Sequence, residues 1–107
     1  DMTFVTRLTL RSGDRVALEK TMEEIKHTVE KKGIQLKGPH TPPPVSYRAP
    51  QYRRMDDTKL KFSPWEYTVY ERWVDMVGYD DSIKRITGME FPKCIHVEVE
   101  VTQMSKK

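Results

Sequence analysis

Apolar and polar residues alternate near both ends of the chain. Between residues 3 and 10, the apolar residues Phe4, Leu8 and Leu10 all stand at even-numbered positions. In the segment 95–101, aliphatic and polar residues alternate throughout. Because successive side chains of a β-strand point to opposite faces, each pattern predicts a strand with one buried face.

The middle of the chain predicts two further strands. Residues 34–37 begin a strand, but the Gly-Pro step that follows removes a backbone donor and should end it. Residues 65–77 predict the next strand, with Trp65 and Tyr67 on its inward side and a bulge near Glu71, where the inward phase shifts. The two strands are therefore separated by a long segment without a strand pattern.

Two segments have the spacing of amphipathic helices. The first lies between Asp14, a favourable N-cap residue, and Gly33, a common helix terminator. Its apolar residues recur at intervals of three and four, at Leu18, Met22, Ile25 and Val29. A shorter helix should follow the turn that begins at Asp80, with Ile83, Ile86 and Met89 on its buried side.

The resulting order of elements is β-α-β-β-α-β. It predicts an α+β ferredoxin-like sandwich, in which a four-stranded, mainly antiparallel sheet has two helices on one face and a long extended loop between strands two and three. With 107 residues, the chain is too short to divide into two adequate cores. Residues 2–107 are therefore expected to form a single domain, with residues 39–64 as a loop that projects from it.

Positive charge is concentrated in one segment. Residues 37–61 contain six basic and two acidic residues, a net charge of +4, whereas the rest of the chain has 13 basic and 14 acidic residues, a net charge of −1. Six of the seven prolines also lie between residues 39 and 64. This composition is equally compatible with a solvated loop that its basic residues keep soluble and with a stiff basic arm that meets phosphate groups. In the second case the prolines would reduce the entropy lost on docking.

Several other kinds of site lack a supporting pattern. One cysteine, Cys94, cannot form an internal disulfide, and no apolar run approaches the roughly 20 residues of a membrane span. His27, His40 and His96 do not have the spacing of a metal site, and no glycine-rich phosphate loop is present. We therefore expect no metal, cofactor, small-molecule substrate or membrane contact, and no enzymatic activity.

Three motifs resemble one ribosomal protein family. The Lys37-Gly38-Pro39 sequence, followed by three prolines, is similar to the turn that opens a long loop in the universal small-subunit S-ten family. The segment 65–76 resembles the family's third strand, with its aromatic-Glu pair, later Arg and apolar-Asp-apolar ending. The segment 95–101 is similar to its last strand. The order and spacing of the motifs extend the resemblance to almost the whole chain.

The resemblance implies a structural constituent of the ribosome. It would bind ribosomal RNA in the head of the small subunit through the loop, next to other small-subunit proteins, and would be a monomer when isolated. The implied location is the cytoplasmic ribosome, with an organellar ribosome as the alternative. The candidate RNA-binding residues are Lys37, His40, Tyr47, Arg48, Tyr52, Arg53, Arg54, Lys59, Lys61 and Arg72.

Some positions depart from the family pattern and leave alternatives open. After its loop-opening proline the family usually has a Thr followed by basic residues, whereas this chain has Val45-Ser46-Tyr47-Arg48. Tyr70 stands where the family usually has His. These departures indicate a divergent member of archaeal or organellar type. Mitochondria also have a similar protein in the large subunit, so the subunit stays open. A non-ribosomal protein-interaction or transcription-antitermination module is the alternative function. A small-molecule-binding regulatory domain is a third, but it would leave the basic segment unexplained.

Overall fold

The chain folds as the predicted α+β sandwich, with one strand more than expected. The computed structural model describes residues 2–52 and 61–105, with side chains from 3–48 and 66–104. The elements are, in order, β1 (Met2–Ser12), α1 (Arg15–Lys31), β2 (Leu36–His40), β3 (Val45–Tyr52), β4 (Lys61–Val77), α2 (Asp81–Thr87) and β5 (His96–Ser105).

All pairings in the sheet are antiparallel, in the order β2-β4-β1-β5. The 17-residue strand β4 pairs with three strands, since β2 and β1 flank its end and β3 pairs with its beginning. Its second half, 70–77, pairs with β1, whereas its first half, 61–69, pairs with β3. We call the hairpin of 45–52 and 61–69 the arm, and the remaining described residues the body. The molecule measures 65 × 29 × 22 Å, because the arm continues β4 beyond the rest of the sheet.

The arm corrects part of the loop prediction. Residues 45–52 form a strand, and β4 begins at Lys61 rather than at Trp65. These prolines lie where they do not interrupt regular pairing. Pro42, Pro43 and Pro44 precede β3, and Pro50 lies within β3 at the point where the register shifts. The ladder with β4 supplies backbone hydrogen-bond partners that a proline-rich loop would have lacked.

Helix α1 agrees with its predicted pattern. The Asp14 carboxylate accepts a hydrogen bond from the backbone N–H of Ala17 at 3.0 Å, which caps the helix. The chain leaves the helix at Gly33, whose φ of +73° suits glycine. All four predicted apolar residues are at most 2% exposed: Leu18, Met22, Ile25 and Val29.

Helix α2 also begins at a predicted residue. The Asp80 carboxylate accepts from the backbone N–H of Ile83 at 3.1 Å. Ile83 and Ile86 are buried, and Met89 packs against the same core. The short helix is therefore held by a capping contact at its start and by apolar contacts along one side.

The core lies between the two helices and one face of the sheet. Leu8 and Leu10 of β1 and Val74 and Met76 of β4 are fully buried on that face. Phe4, expected on the same buried side, is 41% exposed. The opposite side of the sheet, which we call the open face, carries the odd-numbered residues of β1 and β4. This face continues onto the arm.

Strand β4 has no bulge near Glu71. Its register opposite β1 runs without a shift from Tyr70 to Val77, so the predicted bulge is wrong. What changes is the face that carries the apolar residues. Tyr67 belongs to the open face, whereas Val74 belongs to the buried face.

Strand β2 passes through the Gly-Pro step that was expected to end it. The register shifts between Lys37 and His40, so the step is accommodated as an irregularity in the pairing with β4. Gly38 has a φ of +114°, and a Cβ atom there would lie 3.2 Å from the carbonyl oxygen of Trp73. A glycine is therefore required where this edge strand approaches β4.

Candidate nucleic-acid interface

The predicted RNA-binding residues lie in three places. Lys37 and His40 belong to edge strand β2, and Tyr47 and Arg48 to the arm. Arg72 belongs to β4 within the body. Tyr52 and Lys61 are register partners at the outer end of the described arm. Outside the described residues lie Arg53, Arg54 and Lys59.

The arm presents different chemistry on its two faces. Tyr47 lies opposite Tyr67 on the open face, with ring centroids 5.0 Å apart and an angle of 17° between the planes. Both tyrosines are well exposed, at 47% and 40%. The sequence pattern predicts Tyr67 on the inward side of its strand, and its exposure contradicts a core position. The stacked pair instead presents aromatic surface to solvent.

The other face of the arm is polar. The hydroxyl groups of Ser46 and Thr68 are hydrogen-bonded across the hairpin at 3.2 Å. Arg48 is exposed and lies in register with Glu66, but it forms no ion pair with any residue in the described part of the chain. The Arg48 guanidinium is thus accessible to an external anion.

A different aromatic group lies on the open face of the body. The ring of Trp73 stacks on His40, with centroids 3.9 Å apart and planes inclined by 21°. The guanidinium carbon of Arg7 lies 4.0 Å from the centroid of the same Trp73 ring. We call His40, Trp73 and Arg7 the closed stack, because the indole has a neighbour on both sides.

An acidic residue fixes the cation of the closed stack. Arg7 donates to both carboxylate oxygens of Asp75, at 2.9 Å from Nε and 3.1 Å from Nη2. This bidentate hydrogen bonding raises the pKa of the Arg7 guanidinium above its usual value, against a smaller opposing effect of desolvation. Arg7 is therefore held as a cation over the indole, in a position set by Asp75.

Arg11 connects three strands on the open face. Its Nε donates to Glu71 of β4 at 2.7 Å, and its Nη1 donates to Glu98 of β5 at 3.1 Å. The hydrogen bond with Glu71 is the main cause of a raised Arg11 pKa, and the bond with Glu98 adds to it. Most of the positive charge of Arg11 is thus matched by two carboxylates of the same protein.

Arg72 is the most enclosed of the candidate residues, at 8% exposed. Its Nη2 donates to Glu19 of α1 at 3.0 Å, and its Nη1 donates to the backbone carbonyl of Glu71 at 2.7 Å. The side chain therefore joins helix α1 to strand β4. A direct contact of Arg72 with RNA stays a prediction, and its intramolecular partners favour a positioning role.

Sequence reasoning missed the roles of Arg7, Arg11 and Tyr67 on the open face. Arg7 lies on the side of β1 opposite Leu8 and Leu10, but its partner Asp75 is 68 positions away along the chain. For Tyr67 the sequence did contain a signal. Val45 and Tyr47 are two positions apart, as are Tyr67 and Val69, so each segment has the alternation of a short strand. Two such short alternations can pair as a hairpin.

The described part of the chain holds neither a metal-binding cluster nor a membrane-spanning helix. Across residues 2–52 and 61–105, no group of three or more histidine, cysteine, aspartate or glutamate side chains is placed to hold a metal ion. Neither helix in those two ranges has the length and apolar character needed to cross a bilayer.

Comparisons with known proteins place the chain in a family. The family described as "Ribosomal protein S10p/S20e" matches residues 7–100. The "Small ribosomal subunit protein uS10" of Methanopyrus kandleri is 33% identical over 94 residues, which cover 87% of this chain and 92% of the relative. The protein of the same name from Sulfolobus acidocaldarius is 25% identical over 96 residues, 89% of this chain and 94% of the relative. The match to the family covers most of the chain, and the relatives are archaeal and distant. The chain is thus a divergent member of the S10p/S20e family of ribosomal proteins.

Proposed function

We propose that this chain, a ribosomal protein by its family, is a structural constituent of the small subunit that binds ribosomal RNA through its basic loop, 39–64. The observation that carries the proposal is the coincidence of charge and shape. The segment 37–61 holds a net charge of +4 while the rest of the chain is at −1, and part of that segment forms one side of the projecting arm.

The body and the arm would have different roles in RNA binding. The body has a core closed by two helices and contributes no net positive charge to RNA binding. The arm extends away from the sheet, where its cations can reach phosphates that a compact domain would not approach. Neutralising phosphates releases condensed counterions, which supplies most of the affinity in complexes of this kind.

The strand pairing of the arm would reduce the cost of binding. Residues 45–49 are fixed opposite 65–69 before any RNA is present. A preorganised segment loses less conformational entropy on docking than a flexible one. Arg48, exposed and without an ion-pair partner among the described residues, is the best placed of the described cations to meet a phosphate.

The remaining assignments follow from the same proposal. Arg53, Arg54, Lys59 and Lys61 would supply further phosphate contacts from the loop, with Lys37 at its start. His40, Tyr47 and Tyr52 would supply ring surface. Neighbouring small-subunit proteins and ribosomal RNA, in the head of the subunit, are the proposed partners of a chain that is monomeric when isolated. The proposed location is the cytoplasmic ribosome, with the organellar ribosome as alternative.

A charge-removal experiment tests the basic loop. We expect simultaneous replacement of Arg48, Arg53 and Arg54 by Gln to weaken binding to small-subunit ribosomal RNA. The slope of log K against log salt should fall by about two to three units, because each phosphate that is no longer neutralised accounts for about 0.7–0.9 units. Salt titrations of the binding constant measure this slope.

A matched control separates local from overall charge. Replacement of Arg15, Lys20 and Lys32 by Gln removes the same charge from exposed positions at and around helix α1. This variant should keep a slope within about one unit of the wild type. If both variants lose the same slope, binding depends on net charge and the arm is not the site. If neither variant changes RNA binding or entry into subunits, the protein-interaction alternative is favoured.

A further inference from the structure

A cleft lies where the arm meets the body, and most of the residues that line it are outside the basic loop. Tyr47, Tyr67 and Val69 line one side of it, and Arg11, Lys93 and His96 of the body line the other. We call it the arm-base cleft; its volume is about 480 Å³. This lies within the range of about 300–1,000 Å³ that is common for small-ligand sites.

Tyr47 also borders a second depression next to this cleft. A second depression of about 470 Å³ also has Tyr47, Val69 and Arg11 in its lining, and it adds Pro42, Val45 and Glu71. Tyr47 thus borders both depressions. An exposed aromatic wall on a sheet face, with recesses along it, is the geometry on which unstacked bases are held in single-strand recognition.

The charges around the cleft leave one cation available. Arg11 is engaged by Glu71 and Glu98. Lys93 is exposed and has no ion-pair partner within the residues that the structure describes. His96 is exposed on the same side of the cleft. A ligand with a flat ring and a neighbouring anionic group would match both parts of this lining.

We propose that the arm-base cleft binds an unpaired nucleotide of RNA. The base stacks on the Tyr47–Tyr67 pair, and the adjoining phosphate lies towards Lys93. The inference deepens the proposed function, on which it rests, because it adds a base-stacking contact to the phosphate contacts of the loop.

An unpaired nucleotide fits better than a duplex. In an A-form helix the faces of the bases are stacked on each other, and side chains meet mainly phosphates and 2′-hydroxyl groups. A ring that stacks on tyrosine must therefore come from a loop, bulge or strand end. The closed stack offers no comparable surface, since Arg7 and His40 occupy both sides of Trp73.

Replacing the aromatic ring tests the stacking contact. The probes are a ten-nucleotide oligoadenylate and the same strand annealed to oligouridylate, each titrated against the full chain. Tyr67→Leu should weaken binding of the single strand by roughly 5- to 150-fold, the range for one stacked base. Binding of the duplex should stay within about twofold of the wild type, because the charges are unchanged.

The conservative variant and a cation variant serve as controls. Tyr67→Phe keeps the ring and should bind the single strand like the wild type. Lys93→Gln should lower the salt slope for the single strand by about 0.7 units, the contribution of one phosphate contact. If Tyr67→Leu and Tyr67→Phe both bind the single strand as the wild type does, the proposal is wrong.

Photo-crosslinking gives a measurement that does not depend on the variants folding. Wild-type protein irradiated with an oligonucleotide that contains 4-thiouridine should yield crosslinked peptides that contain Tyr47 or Tyr67. Crosslinks confined to other peptides would overturn the inference.

The failure of this inference can be distinguished from failure of the arm proposal. If the variant with Arg48, Arg53 and Arg54 replaced by Gln loses affinity while Tyr67→Leu binds as the wild type does, the basic loop is supported and the cleft is rejected. The reverse result would reject the basic loop as the principal site and keep the cleft as an RNA contact.

Discussion

The two halves of β4 belong to one continuous strand but lie in different surroundings. In the body half, Val74 and Met76 are fully buried, and Trp73 is enclosed between two side chains. In the arm half, Tyr67 is 40% exposed, and the only described strand that pairs with this half is β3. The strand therefore joins a packed core to a hairpin whose described side chains form no buried cluster.

The comparison shows how aromatic residues on one sheet face can differ in use. Trp73 and Tyr67 both lie on the open face, six residues apart along β4. Neighbouring strands contribute the side chains that cover the indole of Trp73, whereas Tyr67, which stacks on Tyr47, is 40% exposed. The availability of a ring for binding is decided by the strands that flank it, and not by the residue type.

The largest expected effect comes from placing a charge in each half of β4. Val74→Asp should abolish cooperative folding or cost more than about 4 kcal/mol, because it buries an unpaired carboxylate among apolar groups. Val69→Asp should cost no more than about 1 kcal/mol, since the arm offers solvent to the new charge. Thermal and urea unfolding measure both.

The pair of variants can contradict the division of the molecule into body and arm. If Val69→Asp unfolds the domain as Val74→Asp does, the arm belongs to the cooperative core. If Val74→Asp leaves the midpoint of unfolding unchanged, the assignment of the buried face of β4 is wrong.

The elements that sequence predicted correctly depend on local signals. Helix α1 is marked by its cap at Asp14, by apolar residues at intervals of three and four, and by Gly33. Each of these signals acts over at most one or two helical turns. The alternation in β5 is equally local, and it correctly placed a strand there.

The features that sequence missed depend on partners far along the chain. Strand β3 pairs with residues that lie 9 to 24 positions later, and the prolines around it obscured its alternation. Both faces of β4 carry apolar or aromatic residues, so parity alone could not show which face meets the helices. A bulge was inferred where the strand is in fact regular.

The candidate site shows the same limit. A basic residue in a strand looks alike whether it faces RNA or an acidic residue of the same protein. Arg72 was selected as a cation, but its partner Glu19 is 53 positions away. The concentration of charge in 37–61, in contrast, needs no partner to be recognised.

A moderate effect is expected from removing the link between α1 and the point where β4 leaves the body. Arg72→Met keeps much of the side-chain volume but loses the hydrogen bonds to Glu19 and to the Glu71 carbonyl. We expect a loss of about 1–2 kcal/mol, because the Arg72 guanidinium is enclosed whereas Glu19 can be hydrated. Denaturant unfolding of the variant measures it.

Glu19→Gln is the matched control for Arg72. It removes the charge of an exposed partner, keeps a hydrogen-bond acceptor, and should cost less than about 1 kcal/mol. Binding of ribosomal RNA sharpens the comparison. If Arg72→Met lowers the salt slope of RNA binding by a full contact while Glu19→Gln does not, Arg72 meets a phosphate directly and is not only a positioning residue.

The smallest effect concerns the closed stack, and it is spectroscopic. In a Trp65→Phe background, Trp73 is the remaining tryptophan, and its fluorescence should resist quenching by acrylamide because Arg7 and His40 cover the two sides of its ring. Arg7→Gln should increase the quenching constant, since the guanidinium no longer lies over the indole, while secondary structure stays unchanged. Lys84→Gln, which removes an exposed cation from α2 far from the indole, is the matched control and should leave the constant as it was. Equal quenching with and without Arg7 would mean that the guanidinium does not shield the indole, and the closed stack would then not account for the difference between the two halves of β4.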